Sequence, residues 1–172
     1  MAVLSFDIKG LDATLKGVDN KLKEVERELQ DELNAWASLC STEAKIRAPK
    51  DEGHLAGAVN PKFEKLKASV TVAVNYAAFM EFGTKKKAQA YVAGLPADWK
   101  AYAAQFKGGG GGAGNLFEAI FAWVKRKGID EAAAYPIAIK ILRDGVNPHP
   151  YLFPAYEHTI SDLKKNLKTL FK

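Results

Sequence analysis

Residues 69–84 read Ser69-Val70-Thr71-Val72-Ala73-Val74-Asn75-Tyr76-Ala77-Ala78-Phe79-Met80-Glu81-Phe82-Gly83-Thr84, and the reading of the fold turns on them. Val70, Val72 and Val74 alternate with Thr71 and Ala73, the period of a half-buried strand. Leu55 to about Phe63 and Leu66 to Val74 read as two strands. Glu64-Lys65 falls at the tight connection, so an antiparallel hairpin is expected. Pro61 suits an edge strand or a bulge, because proline has no N–H for a sheet ladder. Tyr76–Phe82 fits a short helix or a continued strand equally well, and Gly83-Thr84 interrupts either.

Upstream, residues 11–47 read as one long helix. Leu11, Leu15, Val18, Leu22, Val25 and Leu29 recur at alternating spacings of four and three, which places them on one stripe. The spacing slips at Leu33 and resumes at Trp36 and Cys40. Pro49 ends the helix, because the residue before a proline avoids helical angles. Such a helix spans roughly 50 Å, longer than a compact domain of this size needs. Two uses follow: it packs on its own sheet, or its first half packs on another subunit.

Downstream, Lys85-Lys86-Lys87 opens a region that reads as inserted. Pro96 to Phe106 looks helical, with Trp99, Tyr102 and Phe106 at helical spacing, and Gly108–Gly114 reads as a flexible link. Asn115 with Glu118 resembles a capping box for a helix that ends at Gly128. Pro136 is expected to start a helix ending at Gly145, and Pro154 to start the last one, whose stripe is Tyr156, Ile160, Leu163, Leu167 and Leu170. The fold class is therefore α+β: a long N-terminal helix, a small antiparallel β-sheet, inserted helices and a C-terminal helix.

The chain has 172 residues, enough for one ordinary domain with a good-sized core. That domain is taken as 1–172, with a helical, glycine-rich insertion at about 85–145. A hydrophobic content of 48% argues against a wholly disordered chain. No run approaches the ~18 apolar residues of a membrane span, and no signal peptide is read. Cys40 is the only cysteine, so no intrachain disulfide forms, and it reads as a small buried group.

The formal charge of +5 is mild but unevenly spread. Glu24, Glu26, Glu28, Asp31 and Glu32 are acidic, whereas Lys164, Lys165, Lys168 and Lys172 make the C-terminus basic. These two stretches are candidate complementary surfaces between copies of the chain.

Signals for chemistry are weak. The glycine run carries no Gly-Lys-Ser/Thr and follows no strand, so it is not a phosphate cradle. The three histidines, His54, His149 and His158, form no His-x-x-x-His pair, and no metal site or cofactor is expected. Glu81 lacks a second group for acid–base work. It reads instead as an acceptor for nearby backbone amides or for a basic partner. No catalytic residue is assigned and no enzymatic activity is expected. Lys85-Lys86-Lys87 reads as a solvated loop or a contact for an acidic surface, and direct contact with DNA is not expected.

Two blocks carry a family resemblance. One is Ala48-Pro49-Lys50-Asp51-Glu52-Gly53-His54-Leu55 running through to Glu81-Phe82-Gly83-Thr84. The other is His149-Pro150-Tyr151-Leu152-Phe153-Pro154-Ala155-Tyr156-Glu157. Their order resembles the HK97 gp10-like family of tailed-phage proteins. The turn Lys50-Asp51-Glu52-Gly53 stands where that family usually has a small Asp-Thr-Gly type turn. The resemblance implies a structural virion protein of the tail or neck, assembled in the host cytoplasm, that forms a ring in tail completion or head–tail joining. The alternatives it leaves are a tail terminator or a head-closure protein, with a small basic nucleic-acid-binding module further off. It implies a homo-oligomer, six copies by the symmetry of such tails. The implied neighbours are connector or head-closure proteins and tail-tube or tail-terminator proteins, with no membrane partner. Tyr76, Glu81, Phe82, Lys85, Lys86, Lys87, Lys164, Lys165 and Lys168 are the candidate assembly residues. The lysine run and the glycine-rich link are expected to become ordered only against neighbours.

Overall fold

The computed structural model describes residues 11–106 and 113–170, with side chains over 16–106 and 116–170. Helix α1 runs Leu11–Arg47 over 37 residues, as the apolar stripe requires. Lys45 and Arg47 lie in its last turn, where cations favour the helix dipole. After Pro49 the chain turns at Gly53, whose φ of 79° suits glycine, into a single helical turn α2 (His54–Ala58). That turn puts Leu55 into the core. The first strand is therefore shorter than expected, and residues 55–58 are helical.

Strands β1 (Val59–Glu64) and β2 (Lys67–Val72) form an antiparallel hairpin, with Val59 opposite Val72, Pro61 opposite Val70 and Glu64 opposite Lys67. The turn is Lys65-Leu66, one residue later than the sequence suggested. It is pinned to α1 where the Leu66 N–H donates to Gln30 Oε1. A hairpin alone is marginal in water. This one is held because Val59, Val70 and Val72 pack with Cys40 and Ala44 of α1 and with Ala48 just after it.

The ambiguous segment is helical: α3 covers Ala77–Phe82. The lysine run is not a loop, because Lys85–Ala93 forms α4. Helix α5 (Ala97–Ala103) follows Pro96. Of the glycine-rich link, residues 107–112 lie outside the described residues. Helix α6 begins at Ala113 and runs to Arg126, so Asn115 lies inside it rather than at its cap. A 3₁₀ turn (Glu131–Ala133) leads to α7 (Ala134–Asp144), and α8 spans Leu152–Leu170. Pro136 and Pro154 are each the third residue of their helix, not the first. First-turn N–H groups have no partner within a helix, so proline costs little there.

Helix α8 runs antiparallel along α1. Trp36 Nε1 donates to Thr159 Oγ1 at 3.1 Å, and further along α8 Asn166 Nδ2 donates to Glu32 Oε2, one turn earlier in α1, at 2.8 Å. Small residues of α1 (Ala37, Cys40, Ser41, Ala44), and Ala48 just after it, are buried and let α8 and the hairpin approach closely. Tyr151, Val59 and Ala155 complete this core.

Helices α6 and α7 pack on each other, with Phe117 stacked on Tyr135 at 5.3 Å between centroids. Surface ion pairs tie this hairpin to the body: Arg126 to Asp51 and Glu52, and Lys127 to Asp51. Lys127 and then Arg126 hold the Asp51 carboxyl below the usual carboxylate range.

Two glycines separate local from tertiary effects. Gly17 sits in the exposed part of α1 with no neighbour near an added Cβ, whereas Gly145 has φ 87° and a Cβ there would collide with the Thr84 carbonyl. Gly17→Ala is expected to stabilise α1 by up to ~1 kcal/mol. Gly145→Ala is expected to cost about 2–4 kcal/mol through strain and collision. Urea unfolding followed by circular dichroism checks both signs.

Candidate functional site

Helix α8 carries no side-chain cap of its own at Tyr151–Phe153, and its first N–H groups need acceptors. Glu81, on α3, supplies them from 70 residues away. The backbone N–H groups of Tyr151 and Leu152 donate to Glu81 Oε2, each at 2.8 Å, and that of Phe153 donates to Oε1 at 3.0 Å. The carboxylate is 2% exposed. Burial pushes its pKa above the ordinary glutamate value, and the three amide bonds pull it back.

Next to it, Phe82 is buried and opens an aromatic cluster. Its ring lies 6.1 Å from those of Tyr102 and Phe106 and 6.4 Å from that of Trp99. Trp99 in turn meets Phe153 at 4.9 Å and Tyr156 at 5.6 Å, which fastens α5 to α8. Gly83 has φ 74°, and any Cβ there would sit 2.8 Å from the Val146 carbonyl oxygen. Thr84 completes the lock. Its N–H donates to Val146 O at 3.1 Å, and its Oγ1 accepts from the Val146 N–H at 2.8 Å. The His149 N–H donates to Met80 O at 2.7 Å. The segments Glu81-Phe82-Gly83-Thr84 and Val146–Phe153 thus form one interlocked junction.

The predicted assembly residues divide. Glu81 and Phe82 are used inside the chain and present no side chain to a partner, which corrects their placement at a surface; the backbone-amide reading of Glu81 is the one observed. Tyr76 is 43% exposed and lines a cleft of about 470 Å³ with Met80, Trp123 and Arg126. Lys85 and Lys86 are exposed and Lys87 is half-buried. The Lys85 ammonium donates to the Leu142 carbonyl near the C-terminal end of α7, so it is not a free cation of a solvated loop. Lys164, Lys165 and Lys168 are exposed, and Lys165 pairs with Asp162 at 3.1 Å.

The acidic stretch of α1 and the basic end of α8 lie alongside each other in one chain, joined by Asn166 and Glu32. Glu26 faces Lys65 of the hairpin at 3.7 Å. Among the described residues, Lys164, Lys165 and Lys168 make no ion pair with the acidic stretch of α1; Lys165 pairs with Asp162 instead.

Sequence reading missed Thr159, 1% exposed, whose hydroxyl donates to Ala155 O at 2.9 Å while accepting from Trp36. It also missed Tyr91, whose buried hydroxyl has no hydrogen-bond partner. Burial and then the charges of Glu81 and Glu157 push its pKa up to about 12. Neither position has a spacing signal. Burial likewise pushes the Cys40 thiol up, as suits a small core group. Two apolar grooves of about 370 and 380 Å³ flank Tyr102 and share Val70 and Leu152. Glu81 lines the first, with both oxygens already accepting hydrogen bonds.

No family model, curated protein or solved structure matches this chain. Among the described residues no helix is long and apolar enough to cross a membrane.

Glu81→Ala leaves three N–H groups at the start of α8 without an acceptor and is expected to cost about 2–4 kcal/mol in urea unfolding. Glu81→Gln is expected to cost less, since its amide oxygen still accepts. Because the native pKa of Glu81 is raised, the native state binds this proton more tightly than the unfolded chain. The stability this contributes is fully present below the unfolded value and is lost as pH rises through the native one. The advantage of wild type over Glu81→Gln should therefore be greatest at low pH and shrink on that rise. A difference that grows with pH would show instead that the three amide bonds outweigh burial and hold the carboxyl below its ordinary value.

Proposed function

We propose that this chain is a structural, non-enzymatic virion protein of a tailed phage: a ring-forming component of tail completion or head–tail joining. One observation chiefly supports this reading. The two sequence blocks that resemble the HK97 gp10-like family, far apart in the chain, meet as a single interlocked junction, with Glu81 of one capping the helix that opens in the other. The residue types that carry the resemblance are thus the ones on which the fold rests: a buried carboxylate, an aromatic, a positive-φ glycine and a hydroxyl.

The conspicuous polar groups of the junction are spent on backbone bonds, Glu81 with both oxygens although it borders a groove. A building block has such a design: a stiff interior and surfaces left for other chains. Tail terminator and head-closure protein are finer versions of the same role. The partners on this reading are further copies of the chain and the adjoining connector and tail-tube rings.

A phage carrying a stop codon in this chain is expected to accumulate filled heads and finished tails that do not join, visible by negative-stain electron microscopy. Supplying the chain in trans should restore joined particles. Joined, infectious particles that lack the polypeptide would end the reading.

A further inference from the structure

Among the described residues, helix α1 outruns everything that packs on it. Helix α8 ends at Leu170 and reaches Glu32 through Asn166, while the hairpin tip reaches Glu26 and Gln30. Above that level every residue from Lys16 to Glu24 is exposed. The arm from Leu11 to Glu24 is about 20 Å long at ~1.5 Å per residue. Its stripe is nonetheless apolar: Val18 is 53% exposed and Leu22 58%, and the stripe continues into half-buried Val25 and Leu29 where the body begins. The open stripe is thus continuous with one that the chain's own elements partly cover lower down.

We propose that this arm binds the same arm of further copies of the chain, side by side, parallel and in register. In heptad terms Leu22 and Leu29 take position a, Val18 and Val25 position d, Asp19 and Glu26 position e, and Lys21 position g. A parallel pairing sets Lys21 of one arm against Glu26 of the next, an attractive contact. An antiparallel pairing that seats Val18 against Leu22 instead sets Lys21 against Lys21 and Asp19 against Asp19. The flanking charges therefore select the parallel arrangement. In the lone chain Lys21 faces Glu24 at 3.6 Å and Glu26 faces Lys65 at 3.7 Å, both exposed pairs that are readily exchanged. Leucine at a with a β-branched residue at d favours assemblies of more than two strands. Parallel arms about a common axis suit a cyclic assembly, whereas an antiparallel pair closes as a two-fold dimer.

The inference rests on the ring reading for calling this an assembly contact, but its test uses the purified full-length chain. It can therefore fail while the role in particle joining stands. Val18→Cys and Leu22→Cys are each expected to give self-crosslinked chains under mild oxidation, on the order of tenfold faster than Asn20→Cys on the opposite side of the helix. Native Cys40, 2% exposed, should give none in the unsubstituted protein. Adding Leu22→Glu to Val18→Cys should abolish the crosslink while leaving the circular dichroism spectrum unchanged, because residue 22 is exposed in the lone chain. Crosslinking that requires a mixture of the two cysteine variants would show antiparallel pairing and overturn the proposal. Rates equal to that of Asn20→Cys would also overturn it.

Discussion

A buried carboxylate that accepts three backbone N–H groups organises this molecule. Helix α8 begins without a side-chain cap of its own, and a buried helix start cannot leave its amides unpaired. Glu81 meets that need from another helix. Its position then fixes its sequence neighbours. Phe82 enters the aromatic cluster that holds α5 against α8. Gly83 and Thr84 lie against Val146, where only a residue without Cβ and a hydroxyl of short reach satisfy the geometry. Four consecutive residues thus do four separate jobs, so the segment tolerates little exchange among residue types.

Around that junction the core is built by closeness of approach rather than by bulk. Ala37, Cys40 and Ala44 of α1 are buried, while Leu39 and Ile46 on the same helix are exposed at 48% and 64%. Alanine and cysteine let the hairpin and α8 come down onto the helix, and Tyr151 fills the space between them. The elements of the insertion are fastened in different ways. Helix α5 is held by stacked and edge-on rings, whereas α6 is tied to the body by exposed ion pairs worth little individually.

The charge distribution changes meaning once folded. Opposite charges far apart in a sequence suggest a contact between molecules. Here the antiparallel run of α8 along α1 sets them beside each other in one chain. Among the described residues, apolar surface also stays open: the arm of α1 beyond the end of α8 and the grooves beside Tyr102.

The helix and strand periods in residues 11–47 and 69–72, and the breaks at Pro49 and Gly145, were legible in the sequence because they follow from local sterics and from one buried face per element. The α+β class follows from their order. Boundaries set by distant contacts were not legible: α2 replaces the start of a strand because Leu55 is drawn into the core, and Lys85–Ala93 is helical. At the candidate site the sequence marked Glu81 as an acceptor but not its partners, since nothing local to residues 81 or 151 says that they touch. It placed Phe82 at a surface for the same reason. Which apolar side chains are covered, and which charges are already paired, depends on the packing of segments up to 134 positions apart, and only the tertiary structure decides that.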